Sequence, residues 1–105
     1  MQRCQAKRMA GKELLLEAQV RTDKVEKMAG LWLRADTEDD TLFFYNMHDR
    51  PIVGTTPWRS YTISNYISSE TIWLNYGILL VGKGHIWADN FRIYVRNNLN
   101  NWELI

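Results

Sequence analysis

A chain of 105 residues, 46% of them hydrophobic and 12% aromatic, is long enough for one domain with one core. Thirteen basic and twelve acidic side chains give a formal net charge of +1, so neither nucleic acid nor a membrane is predicted as a partner. The single cysteine, Cys4, excludes an internal disulfide and suits a reducing compartment. No secretory h-region and no apolar run of roughly 20 residues is present. The sequence therefore predicts one cytoplasmic domain over residues 1–105.

The first half of the chain has the period of two that is typical of strands with one buried face. The clearest example is the alternation of Leu14, Leu16, Ala18 and Val20 with Leu15, Glu17, Gln19 and Arg21. The strand pattern is weaker in residues 25–29. Residues 30–36 place aliphatic side chains on the face opposite Trp32, Arg34 and Asp36. The polar turn 37–40 and the aromatic-rich segment 42–47 then predict a hairpin.

Residues 46–58 are predicted to form a long, rigid connection between strands. Pro51 fixes its own φ and favours an extended backbone at the residue before it. Gly54 permits a turn. Trp58 is predicted to begin the next strand, which runs to Ile67. His48, Asp49 and Arg50 make ligand contact a minority hypothesis for this connection, and structural support is the preferred one.

The second half is predicted to be β-rich as well. Residues 72–81 fit a covered strand or a short buried helix, and Gly77 and the β-rich surroundings favour the strand. Residues 82–84, Gly-Lys-Gly, predict a tight hairpin. The alternation changes phase within 85–95, which predicts a β-bulge near Asp89 and Asn90. About seven short strands predict an antiparallel sandwich or barrel.

Three segments carry a family resemblance: Gly30–Asp36, the motif of 46–58 (Asn-Met-x-Asp-Arg-Pro-Ile-x-Gly-Thr-Thr-x-Trp), and Gly84-x-Ile86-Trp87-x-Asp89. Together they resemble a bacterial galactose-binding-like domain, a jelly roll similar to carbohydrate-binding modules. The resemblance implies an all-β antiparallel jelly-roll sandwich. It also implies a non-catalytic appendage of an enzyme or a transcription regulator rather than one fixed activity.

The resemblance further implies that the family's first strand or strands are missing, because Met1 and Gln2 would fall inside a strand. An uncovered sheet edge is a template for pairing, so a homodimer or higher homo-oligomer is expected. Many such domains hold a structural calcium, for which Asp89 matches one ligand. Without its partner ligands, no metal or other cofactor is predicted.

The predicted ligand-binding residues are Trp32, Arg34, Asp36 and Arg50. A sugar face stacks on an exposed ring, while arginine and carboxylate groups hydrogen-bond hydroxyls. For any single large aromatic of this chain, burial in the core remains the more common alternative. The tryptophans at 58, 73 and 87 and the tyrosines at 45 and 76 belong to the same wider aromatic set.

No catalytic residue is predicted. Cys4, His48 and His85 lack a local nucleophile signature, so the chain is predicted not to be an enzyme. The leading hypothesis is a non-enzymatic module that binds a carbohydrate or another polar small molecule. The alternative is a protein-interaction, accessory or sensory domain of a bacterial regulator that assembles through an exposed sheet edge.

Overall fold

Strands account for all the regular structure of the protein. The computed structural model describes residues 1–105 and contains seven strands: β1 (Gln2–Gln5), β2 (Glu13–Asp36), β3 (Thr41–Tyr45), β4 (Ile52–Tyr66), β5 (Trp73–Val81), β6 (His85–Arg96) and β7 (Trp102–Leu104). Every strand pair is antiparallel, so the predicted all-β antiparallel class is confirmed. The jelly-roll type stays a prediction. No helix capable of crossing a membrane is present.

β2 is the centre of the sheet along its whole length. On one edge its first half pairs with β6 and its second half with β5. On the other edge the same two halves pair mainly with β4 and β3. β1 extends the sheet beyond β5, and β7 extends it beyond β6. The sheet therefore has two halves that share one strand.

The two halves fold over each other at a bend in β2. A straight strand of 24 residues would span about 80 Å, whereas the largest dimension of the molecule is 41 Å. The pairing with β4 is irregular between Val20 and Ala29, and Lys24 has a φ of 51°. On the opposite edge, Gly84 (φ 128°) lies against the backbone of residues 24 and 25. These irregularities place the bend near Lys24.

The bend lets both halves contribute their apolar faces to one core. The burial pattern changes phase across the bend, so the aliphatic side chains on either side of it face inward. The fully buried members from β2 are Leu14, Leu16, Ala18 and Val20 before the bend and Ala29, Leu31, Leu33 and Ala35 after it. All belong to a single cluster of 17 buried hydrophobic residues. This arrangement resembles a sandwich made from one curled sheet.

The predicted connection 46–58 is shorter than expected. β3 ends at Tyr45 and β4 begins at Ile52, so the prediction that Trp58 begins a strand is wrong. Gly54 has a φ of 81° but lies inside β4, where the register against β2 shifts nearby. A positive-φ glycine can form a bulge in a strand as readily as a turn, and here it forms part of the bend.

The predicted hairpin at residues 82–84 is also wrong. β5 and β6 do not pair with each other; both pair with β2, one after the other along the same edge. The register passes from Met28 opposite Val81 to Asp23 opposite His85, so Gly82–Gly84 is a short interruption between collinear strands. These three residues cross the bend without reversing the direction of the chain, whereas a turn between two paired strands was expected there.

Other local predictions are confirmed. β2 and β3 form the hairpin around residues 37–40, and residues 73–81 form a strand. The phase change in β6 is a bulge: its register against β2 shifts between Glu17 and Gln19, and Asn90 has a φ of 55°. The C-terminal aromatic and aliphatic residues dock as β7, which the sequence left open.

Candidate functional site

Three of the four predicted ligand-binding residues lie together on the outer face of the second half. Trp32, Arg34 and Asp36 alternate with the buried aliphatic residues of β2, as the strand period requires. Trp32 covers Gly77 of β5, where an added Cβ would lie 3.1 Å from the indole nitrogen. The ring of Trp32 also packs on Phe44 of β3, with centroids 6.5 Å apart. Part of the Trp32 ring surface is therefore used in packing against Gly77 and Phe44.

Asp36 is buried and fully engaged by its neighbours. Its carboxylate accepts hydrogen bonds from Arg34 Nε (2.9 Å), Thr41 Oγ1 (2.9 Å) and Asn75 Nδ2 (2.6 Å). Asn75 in turn accepts a hydrogen bond from Arg3 Nε of β1 (2.9 Å). Burial alone would raise the pKa of Asp36, but the hydrogen bonds and the Arg34 charge outweigh it and lower the pKa. This network ties β1, β2, β3 and β5 together.

A polar depression of about 380 Å³ lies beside this network. Arg34 and Asp36 line it with the turn 37–41, and Arg3 and Trp73 form the remaining wall. The Arg3 guanidinium lies 5.1 Å from the centre of the Trp73 ring. The acidic side chains of the turn are exposed, and the turn is held by backbone donation to Thr37 Oγ1. Ligand contact at Trp32, Arg34 and Asp36 stays a prediction.

Arg50 lies apart from the other three predicted residues. Its guanidinium donates to Tyr45 Oη (3.1 Å) and to the Thr62 carbonyl of β4. Tyr45 Oη in turn donates to the Asp49 carboxylate, and this hydrogen bond lowers the pKa of Asp49. The loop is anchored in the core by Met47, which is 1% exposed. Arg50 thus binds a tyrosine side chain and a backbone carbonyl.

The other half of the sheet carries a second outer-face cluster, here called the tryptophan surface: Arg21, Asp23, Thr55, Trp58 and Trp87. Trp58 is 48% exposed and Trp87 is 39% exposed. The Arg21 guanidinium lies 4.1 Å from the Trp87 ring centre and 5.9 Å from that of Trp58. These five residues line a depression of about 560 Å³ together with Thr22, Thr56 and Pro57.

The bend of β2 positions the tryptophan surface. Buried Thr22 shares a 2.8 Å hydroxyl contact with Thr56 and accepts from the Thr56 backbone nitrogen at 3.1 Å. Thr55 Oγ1 accepts from the Lys24 backbone nitrogen at 3.0 Å and lies 3.5 Å from Asp23 Oδ1, to which it donates. These contacts hold β4 against the bend, so the surface is fixed by backbone contacts as well as by side chains.

The sequence pattern alone does not identify the tryptophan surface. Trp58 and Trp87 belong to the wider aromatic set, but their strands are far apart in sequence, and Arg21 is not among the predicted site residues. The sequence signal that could have indicated this surface is Arg21, a charged residue on the strand face opposite the aliphatic residues of β2. Pairing Arg21 with Trp87 requires the register between β2 and β6, which the sequence does not supply.

The residues considered for catalysis or metal binding do not form a cluster. Cys4 lies on β1, His48 lies in the loop after β3, and His85 stacks on Trp87 with centroids 5.8 Å apart. No group of three or more histidine, cysteine, aspartate or glutamate side chains is arranged to hold a metal ion. Asp89 Oδ1 accepts from the Asn90 backbone nitrogen at 2.8 Å and so takes part in the β6 bulge.

Comparison with known proteins gives one informative relative. No family model matches the chain, and no solved structure matches it. Over 91 residues the chain is 40% identical to the uncharacterized HTH-type transcriptional regulator YbfP of Bacillus subtilis (strain 168). The matched residues are 86% of this chain but only 31% of that regulator, so the chain spans about a third of the relative's length.

Proposed function

We propose that this chain is a carbohydrate-sensing β domain of a bacterial transcription regulator. The similarity to a segment of an HTH-type regulator supports the regulatory context. A helix-turn-helix reads DNA with a helix in the major groove, and the present chain contains no helix. Its net charge of +1 also provides little attraction to phosphates. A role other than DNA reading, such as ligand sensing, therefore fits this chain best.

The tryptophan surface is the observation that carries the proposed ligand class. The Trp58 ring, which is 48% exposed and has the Arg21 guanidinium no nearer than 5.9 Å from its centre, offers an apolar face to the C–H face of a sugar. Arg21 donates hydrogen bonds and Asp23 accepts them, which matches the mixed requirements of sugar hydroxyls. The contacts at the bend hold these groups in place before a ligand binds, which reduces the entropy lost on binding.

A sugar panel tests the proposal through intrinsic tryptophan fluorescence and calorimetry. We expect at least one mono- or disaccharide to bind, and Trp58→Ala to weaken that binding at least tenfold because the stacking face is lost. Trp102→Ala is the matched control, since Trp102 is similarly exposed and also lies against an arginine, Arg96, at 4.5 Å. It should leave the affinity unchanged.

Two results would contradict the proposed site. If Trp32→Ala or Arg34→Ala abolishes sugar binding while Trp58→Ala does not, the ligand occupies the polar depression beside Asp36. If no sugar in the panel binds, the proposed ligand class is wrong.

Assembly through a sheet edge is the second candidate function, and the free edge of β4 favours it. β4 has 15 residues and pairs with β2 on one edge only. Its exposed side chains include Val53 (52% exposed) and Tyr66 (57% exposed). Pro57, which lacks an N–H, and Arg50 at the Thr62 carbonyl obstruct parts of this edge. The edge is thus long enough to pair with a second copy over a limited segment.

Sedimentation velocity over a range of concentrations tests this assembly. We expect a dimer at high concentration, and we expect Val53→Lys with Tyr66→Lys to shift it to monomer because charge on an edge opposes pairing. The same double change to lysine at Leu42 and Phe44, exposed residues of β3, is the control. A wild-type protein that remains monomeric throughout the range would rule the assembly out.

A further inference from the structure

A third cavity, here called the mouth cavity, lies where the two halves of the sheet face each other beside β1 and β7. It has a volume of about 600 Å³, within the range of small-molecule sites. The tryptophan surface and the polar depression share no residue with it. Its walls come from β1 and the turn after it, from β5 and β6, and from the end of the chain: Cys4, Gln5, Lys7, Arg8, Met9, Tyr76, Phe91, Arg92, Ile93, Leu104 and Ile105.

The interior of the mouth cavity is apolar. Tyr76 of β5 and Phe91 of β6 pack against each other in its wall, with ring centroids 5.6 Å apart. Ile93 and Leu104 continue the apolar wall. Burial raises the pKa of the Cys4 thiol, and burial followed by the neighbouring Cys4 raises the pKa of Tyr76. Both groups are therefore neutral at pH 7, and the interior carries no charge.

The rim of the mouth cavity carries three basic side chains. Lys7, Arg8 and Arg92 line the cavity, and no aspartate or glutamate side chain does. The two salt bridges of the protein join Arg34 to Asp36 and Arg96 to Glu13, so none of the three rim cations is paired. Cations that border an apolar recess and lack a counter-ion create a local potential that attracts an anion.

We propose that the mouth cavity binds an amphipathic monocarboxylate, a molecule with an unbranched or compact apolar body and one carboxylate head. The apolar body lies against Tyr76, Phe91 and Ile93, where burial of hydrocarbon drives binding. The carboxylate lies at the rim, where Lys7 and Arg8 of the turn after β1 donate charge-assisted hydrogen bonds. A sugar suits this cavity poorly, because its hydroxyl groups would be buried against hydrocarbon with few partners. The inference is independent of the proposed carbohydrate site.

Three probes with one hydrocarbon body separate the contributions of body and charge. Decanoate, decanol and decyltrimethylammonium are titrated into the intact chain below their aggregation concentrations and followed by calorimetry. We expect decanoate to bind at least tenfold more tightly than decanol, and the ammonium compound to bind more weakly than decanol. Added salt should reduce the advantage of decanoate, since the rim cations are exposed.

Variants then assign the binding to this cavity. Arg8→Ala combined with Lys7→Ala should remove most of the preference for decanoate over decanol, and both residues are exposed, so the fold should be kept. Arg59→Ala, which removes an exposed arginine of β4 that does not line the cavity, is the control. Equal affinity for decanoate and decanol, a preference that survives the double change, or no binding of decanoate would each overturn the proposal.

Discussion

Replacing Gly84 by alanine is expected to lower the free energy of unfolding by about 3 kcal/mol, because backbone strain and overpacking each cost about 1–3 kcal/mol. Gly84 has a φ of 128°, a conformation that residues with a Cβ rarely adopt. The added methyl group would lie 2.7 Å from both the Lys24 carbonyl oxygen and the Val25 Cα. These are backbone atoms at the bend of β2, so they cannot move aside as a flexible side chain would. Urea denaturation measures the change.

Gly54→Ala separates the two causes of that loss. Gly54 also has a positive φ, 81°, but no atom lies within 4 Å of the position that an added Cβ would take. Its replacement therefore carries the conformational cost alone, about 1–2 kcal/mol. If Gly84→Ala costs no more than Gly54→Ala, close contact between residues 24–25 and Gly84 is not what holds the bend.

Replacing Asp36 by alanine is expected to lower the free energy of unfolding by about 2 kcal/mol, because leaving a buried hydrogen-bonding group without its partner costs about 1–3 kcal/mol. The change removes the acceptor shared by Arg34, Thr41 and Asn75. Asn75 is fully buried, so its amide would be left without that partner in a place water does not reach. Asp40→Ala is the control, because Asp40 is an exposed carboxylate of the adjacent turn whose side chain makes no hydrogen bond.

The pH dependence of this difference identifies the carboxylate as its source. The pKa of Asp36 is lowered from 3.8 in the folded protein, so its contribution is fully present above that value. The contribution is lost as the pH falls through the lowered pKa and the carboxylate becomes protonated. Wild type and Asp36→Ala should therefore approach each other in stability at acid pH. A gap that is the same at pH 7 and at pH 2 would contradict this origin.

The sequence was most informative where local patterns decide structure. The alternation from Leu14 to Val20 identified the buried face, and the phase change around Asp89 identified the β6 bulge. Both signals depend on the strand period of two, which any half-buried strand must obey. The hairpin at residues 37–40 is also local, since its turn residues select its geometry.

Predictions failed where the answer depends on distant partners. Glycine at 54, 82 and 84 signals unusual backbone, but whether it becomes a turn or an interruption depends on which strand lies alongside. β2 pairs with both β5 and β6, so residues 82–84 had to pass along one edge instead of reversing direction. The tryptophan surface likewise exists only after β4 and β6 pair with opposite edges of β2 and bring Trp58 and Trp87 to the same arginine.

The shared central strand also bears on how the molecule folds. β2 pairs Leu14 with Val95 and Asp23 with His85, which joins residues from nearly opposite ends of the chain. The entropy of closing such large loops must be lost before these contacts stabilise anything, so topologies of this kind fold on the millisecond-to-second scale. Neither half can complete its sheet without β2. The rate-limiting event is therefore expected to involve both halves together, with no stable half-folded species on the way.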